Sequence, residues 1–415
     1  MINKKTYEIT SCDDVELNIK RESKLEFKLW FDDAKEVKAL VFINQGLGTD
    51  CNDPYLDFVA RDLIKNLDIA IVGVNYHCIG NRPQTGSSFY LDDIDKLILS
   101  ESCKAINLEL PLEVKDINNY EKMSEVFHFV NQNLARRKFE GKLNSNYFLN
   151  LHVSLQPSKN EYQNFGIMQA QDLINALLFI KANPPFKISG GGDLAIIMTG
   201  TSHGGYLSHL AAKIAPWLID GVIDNSSGAK FPWRVVGFGK EIDFMQYAEF
   251  STFDFFHHIN THCSTKTFWT SNKEAKNFFS PARRKIRNIL EEDHLIIQSK
   301  YANTKYVSYF SVKDQYLSLE EKRILYKEFR DLNFDACLYE ISEKDIDHKF
   351  IKDLNHGMGI PTKLLIKKEL PSLLDKILLD NKKDFKEKSI SYPSEDLIYT
   401  FSEENNRISL KIIKK

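Results

Sequence analysis

The stretch Met198-Thr199-Gly200-Thr201-Ser202-His203-Gly204-Gly205-Tyr206-Leu207 decides how the rest of the chain is read. Its centre has the Gly-x-Ser-x-Gly spacing of a serine carried on a sharp strand-to-helix turn. Five residues are weak evidence alone, so the flanks must supply a strand before them and a helix after them. Residues 194–199 (LAIIMT) are a continuous apolar run, as in a strand buried on both faces, and 206–215 have helical spacing. Gly200 and Gly204 then have a physical reason, because side chains two positions either side of a strained serine would collide with strand and helix. The serine hydroxyl would project at the helix N-terminus, whose partial positive charge favours a developing oxyanion.

Moving outward, the β-α-β order recurs. Residues 37–44 (VKALVFIN) and 68–75 (DIAIVGVN) read as buried strands around a helix at 54–66, which begins with Pro54. A helix at 168–182 and a glycine turn at 190–193 precede the strand leading to Ser202, and 221–224 (GVID) is a further strand. Strands at 305–310 and 336–341 enclose a helix at 319–332, and 362–379 is a last helix. Short strands are expected at 7–10, 15–20 and 25–31. This alternation predicts an α/β protein with a mostly parallel central sheet flanked by helices.

Two stretches break the rhythm. Residues 77–167 are too long for one crossover and mark an insertion. Residues 231–300, rich in Phe and Trp, mark a second, expected to be a cap over the carboxyl edge of the sheet. Its aromatics either form its own core or line an apolar or sugar-stacking pocket. The expected organisation is a domain over 1–388 with insertions at about 77–167 and 231–300, and a small β extension over 389–415.

The bulk numbers limit the function classes. The chain has 415 residues, 43% hydrophobic, with 55 Lys+Arg against 57 Asp+Glu, a net charge of −2 that argues against nucleic-acid binding. Six scattered cysteines without a CxxC pair read as reduced thiols. No signal-peptide-length or membrane-length apolar run occurs, so a cytoplasmic protein with no membrane span is expected. A GxGxxG fingerprint and a Walker A motif are absent, so no cofactor is expected.

A serine hydroxyl needs a base, and the base needs an orienting acid. The strand at 305–310 is followed by Asp314, and the strand at 336–341 by a loop ending in Asn355-His356-Gly357. Ser202, Asp314 and His356 are therefore the expected nucleophile, acid and base. His348 is the rival base, and Asp224, Asp345 and Asp347 are rival acids.

These residues resemble the α/β-hydrolase superfamily, and within it the esterases and prolyl-oligopeptidase-like enzymes, over roughly 37–76, 168–230 and 305–378. The chain is also similar to an uncharacterised family of such proteins from Campylobacter and relatives, found near flagellar glycosylation loci. The resemblance implies an α/β-hydrolase fold with an inserted cap. It also implies an oxyanion hole from the backbone N–H groups of Leu47 and His203. The departure is Gln45, where such enzymes carry a His in the motif after an early strand.

The expected activity is that of a serine hydrolase, a carboxylic-ester hydrolase acting on a small acyl or glycan substrate. Alternatives are an acyltransferase or deacylase acting on a sugar, a peptidase of prolyl-oligopeptidase type, and a non-catalytic binding protein on a hydrolase fold. Two weaker features are set against structural readings. His258 and His262, at i and i+4, would share a helix face but lack a HExxH glutamate, so no metal is expected. Arg283, Arg284, Lys285 and Arg287 read as a solvated helix face.

Overall fold

The computed structural model describes residues 1–191, 194–233, 235–301, 303–380 and 385–415. Runs with no polar interruption become the inner strands of a sheet. Ala39–Asn44 and Ile69–Asn75 are buried at every position, as a strand covered on both faces requires. The central sheet has eight strands: β1 (Ile2–Ile9), β2 (Leu25–Asp32), β3 (Ala39–Asn44), β4 (Ile69–Asn75), β5 (Ala195–Thr201), β6 (Gly221–Asn225), β7 (Lys305–Ser311) and β8 (Ala336–Ile341). Their order is β1-β2-β4-β3-β5-β6-β7-β8. Strand β2 runs antiparallel to both β1 and β4, and all other neighbours pair in parallel.

Helices cover both faces. Helix α1 (Pro54–Asn66) starts where the Asp53 carboxylate accepts a hydrogen bond from Tyr55 N at 2.8 Å, with proline in its first turn. Its Leu56, Leu63 and Ile64 share one core with Val41, Ile71 and Ile197 of the sheet and with Ile366, Leu370 and Leu373 of α5 (Thr362–Leu379). On the other face α2 (Ile167–Ala182) packs along α3 (His203–Ile214), and α4 (Leu319–Asp331) lies against β8. This order, direction and two-sided cover are those of the α/β-hydrolase fold.

The chain divides into two compact units. The first comprises Met1–Ile79, Asn164–Phe231 and Ser280–Lys415, and the second Gly80–Gln163 and Pro232–Phe279. The second unit draws on both inserted stretches, which contribute strands to one sheet ordered Phe250–Thr252, Ile259–Thr265, Leu149–Gln156, Ser88–Tyr90. One face of that sheet packs Leu149, Leu151, Val153 and Ile259 against helices Asp93–Ala105 and Tyr120–Phe139. Alternation places Asn150, His152 and Ser154 on the other face, in parallel register with Asn260, His262 and Ser264. An Asn-x-His-x-Ser run thus lies beside a second copy of itself.

Several expectations need correction. The run at 15–20 is not a strand but a turn closed by the single bridge Asp14–Ile19, with Leu17 N donating to the Asp14 carboxylate and Asn18 at φ +53°. His262 lies on strand Ile259–Thr265, so it shares no helix face with His258. Arg287 is not solvated: it is buried, forms an ion pair with Glu16, and donates to the carbonyls of Phe165 and Asn164. Of the turn expected at 190–193, Gly192 and Asp193 lie outside the described residues.

The C-terminal residues form a three-stranded antiparallel sheet, Ser389–Ser394, Leu397–Glu404 and Arg407–Lys414. Asn405 and Asn406, both at positive φ, make its second turn. The six cysteines are free thiols. Among the described residues no helix is long and apolar enough to cross a membrane.

Candidate active site

Register brings the ends of β3, β5 and β6 to one edge, where Asn44 pairs with Gly200 and Thr201 with Asn225. Ser202 joins β5 to α3 with φ +56° and ψ −121°, a conformation an L-residue holds only when its surroundings force it. Those surroundings are two glycines. A Cβ on Gly200 would come within 2.3 Å of the Gly204 carbonyl carbon, and one on Gly204 within 2.0 Å of the Asn44 carbonyl oxygen. The turn therefore closes tightly against the end of β3. Ser202 N donates to Asn225 O at 2.8 Å, tying the turn to the neighbouring strand.

Ser202 Oγ lies 2.7 Å from His356 Nε2, and His356 Nδ1 lies 2.7 Å from Asp314 Oδ2. A carboxylate accepts only, so Nδ1 carries the proton and Nε2 is the acceptor facing the serine hydroxyl. The Asp314 side chain is enclosed and is itself oriented, since its Oδ1 accepts from Tyr316 N at 2.9 Å and Leu317 N at 3.0 Å. The loop carrying His356 is held by Gly357, whose N–H donates to Ser226 Oγ at 3.0 Å and whose carbonyl accepts from Asn225 Nδ2 at 2.9 Å. The ring of Tyr316 meets the His356 imidazole edge-on at 5.3 Å.

Leu47 lies on the loop leaving β3, and it is the start of that loop, Asn44 O and Gln45 O, that abuts the Gly204 position of the elbow. Gln45 has a structural use. Its carbonyl accepts from the Tyr76 hydroxyl at 2.7 Å, and its Oε1 accepts from Thr49 Oγ1 at 3.2 Å. His203 opens α3, and its Nε2 lies 3.0 Å from Gln169 Oε1, so its imidazole is engaged away from the serine.

The rivals do other work. Asp224 is buried on the α3 side of the sheet, 2.7 Å from His209 Nε2 and 3.1 Å from Lys322 Nζ. Burial alone would raise its carboxyl, but the Lys322 and His209 charges outweigh that and hold it far below the usual range. Asp345 caps the short turn after β8 by accepting from Ser342 N, and Asp347 accepts from the N–H groups of Lys349, Phe350 and Ile351. His348 is exposed at positive φ. The structure therefore brings together Ser202, His356 and Asp314 and leaves the rivals apart. Sequence reasoning missed Asn225, Ser226 and Tyr76, the residues that hold the two loops. The signal for them was their position, since Asn225 and Ser226 stand at or just beyond the carboxyl end of β6, beside the elbow strand, and Tyr76 just beyond that of β4, one strand further out.

The chain matches, over residues 5–412, a family described as "Protein of unknown function (DUF2920)". No curated protein matches it. Among solved structures it is similar to the acylaminoacyl peptidase of Pyrococcus horikoshii (TM-score 0.44, 12% identity, 93% of this chain and 42% of that one). It is similar also to an esterase of Pyrococcus furiosus (TM-score 0.42, 11% identity, 91% of this chain and 92% of that one). A structure from a study of two esterases of the fungus Rhizomucor miehei gives a TM-score of 0.41 at 11% identity, over 91% of this chain and 83% of that one. The chain spans about 42% of the length of the peptidase.

Proposed function

The chain belongs to the DUF2920 family of proteins of unknown function, and for it we propose a serine hydrolase that cleaves a carboxylic ester through an acyl-enzyme on Ser202. The observation that carries this reading is the unbroken path Ser202 Oγ–His356–Asp314, at 2.7 Å per step, ending on a serine in a forced backbone conformation.

In this reading His356 Nε2 takes the hydroxyl proton as Ser202 Oγ attacks the ester carbonyl. The Asp314 carboxylate faces the imidazolium that results and stabilises it without taking its proton. The N–H groups of Leu47 and His203 hold the tetrahedral oxyanion, aided by the N-terminal end of α3. Collapse expels the alcohol, which leaves with the proton from Nε2. A water then gives its proton to His356, attacks the acyl carbon, and releases the acid and free Ser202. The oxyanion hole relies on backbone donors, so Gln45 in place of the usual histidine leaves it intact.

Ser202→Ala is the direct test. Loss of turnover of an activated ester by about a thousandfold or more is expected, since removing any member of such a unit disables the whole. Full turnover in Ser202→Ala would sink the proposal.

A further inference from the structure

The second unit encloses a cavity of about 140 Å³ walled chiefly by Phe89, Met123, Phe127 and Phe256, with the half-exposed Tyr120 and Phe255 beside its opening. The walls are not a uniform apolar lining. Phe127 meets Phe256 at 61° and Phe89 meets Phe255 at 75°, so the lining rings pack edge-to-face with one another. That arrangement suits a further aromatic ring, which prefers edge-to-face neighbours over a flat sandwich. The volume agrees, because an apolar cavity of roughly 150 Å³ accepts one benzene.

A second observation is independent of size. Thr261 lines this cavity from strand Ile259–Thr265 and is almost wholly buried, yet its Oγ1 has no hydrogen-bond partner. It lies on the apolar side of the sheet, where Ile259 is packed into the core. A valine there would fill the same volume without the cost of an unpaired hydroxyl. Tyr120, Ser124 and His128 also bring polar groups to the lining, each on a residue more exposed than Thr261. A ligand that brings its own hydrogen-bonding group satisfies the unpaired hydroxyl, which χ1 rotation of Thr261 can turn toward it.

We propose that this cavity binds a single aromatic ring bearing one hydroxyl, the ring among the phenylalanines and the hydroxyl paired with Thr261. Its lining residues all belong to the second unit, and the proposal does not depend on Ser202 being reactive.

The test uses the intact chain with phenol and benzene as probes, followed by calorimetry and ligand-detected NMR. Saturable one-to-one binding of phenol is expected, tighter than that of benzene. Thr261→Val should weaken phenol about five- to tenfold and leave benzene unchanged, the worth of one net hydrogen bond. Ser124→Phe, which adds bulk from the half-buried side of the cavity, should weaken both probes at least about tenfold while Ser202 keeps its reactivity toward a fluorophosphonate. Absence of saturable binding of either ring overturns the proposal, as does undiminished binding in Ser124→Phe. A Thr261→Val variant that treats the two probes alike removes the hydroxyl from the recognition.

Discussion

Asp314→Asn separates the chemical role of the carboxylate from its structural one. Three bonds converge on this side chain: His356 Nδ1 at 2.7 Å on Oδ2, and Tyr316 N and Leu317 N at 2.9 and 3.0 Å on Oδ1. The two backbone donors force an asparagine to turn its oxygen toward them, which aims its NH2 group at His356. Two donors cannot face each other, so the imidazole must place its proton on Nε2 and present a lone pair at Nδ1. The nitrogen facing Ser202 Oγ then carries a proton and cannot accept another. The fold should survive, because the loop keeps its two backbone bonds. In serine hydrolases built on this unit the same exchange lowers kcat about 10⁴-fold, roughly 5–6 kcal/mol in the barrier. Steady-state turnover of an activated ester measures the effect, and thermal unfolding checks that the fold is unchanged. Asp314→Ala should lose activity and also stability, since it abandons both loop donors. An Asp314→Asn enzyme within tenfold of the parent would refute the assigned tautomer and with it the role of Asp314.

Other outcomes follow from the same geometry. Gly204→Ala places a methyl 2.0 Å from Asn44 O and must push the elbow from the end of β3. Ester turnover should fall at least about a hundredfold, as a displacement near 1 Å costs, and an active Gly204→Ala would show that the close approach is not needed. Lys322→Met leaves Asp224 buried with only part of its charge compensation, and denaturant unfolding should register a loss of about 3–5 kcal/mol. The double variant with Asp224→Asn should recover part of that loss; no recovery would mean that the pair is not what Lys322 supports. In the second unit, burial pushes the Asp95 carboxyl up, but the His152 hydrogen bond and the Lys240 charge outweigh it and hold the group at about 2 against an ordinary 3.8. Between those values the unfolded chain binds more protons, so this stabilisation is complete above the ordinary value and disappears as pH falls through about 2. The difference is worth about 2 kcal/mol. Thermal unfolding between pH 5 and 2 should therefore fall more steeply in the parent than in Asp95→Asn, and parallel curves would contradict the assignment.

The parts legible in the sequence were those whose burial pattern is local. Residues 54–66 and 362–379 read as helices because the spacing of their apolar residues is contained within each segment, with Pro54 marking the start of the first, and both bounds agree with the fold. The strand before Ser202 was legible for the same reason, being apolar throughout. Residues 15–20 misled because alternation also arises when a short turn is closed by one bridge, with Asp14 supplying the acceptor a second strand would have given. His262 and Arg287 misled because their environments are made by distant chain. His262 pairs in register with His152, and Arg287 finds its carboxylate in Glu16. The sheet of the second unit was hidden by the same distance along the chain, its two central strands coming before and after Ser202 in the sequence. The repeated Asn-x-His-x-Ser run at 150–154 and 260–264 was the one local sign that the inserted stretches belong together. For the candidate site, position after successive strands made Ser202, Asp314 and His356 candidates beside their rivals, and the hydrogen bonds bring these three side chains together. The residues that brace their loops became visible only with the hydrogen bonds in place.

Fluorophosphonate labelling of the intact chain, with the modified residue located by mass spectrometry, tests the central claim most directly. A serine activated by His356 should form one phosphonyl adduct on Ser202, and the adduct should be absent from Ser202→Ala and strongly slowed in His356→Ala. A folded chain that takes no label, or takes it on another residue with Ser202 unmodified, would contradict the account.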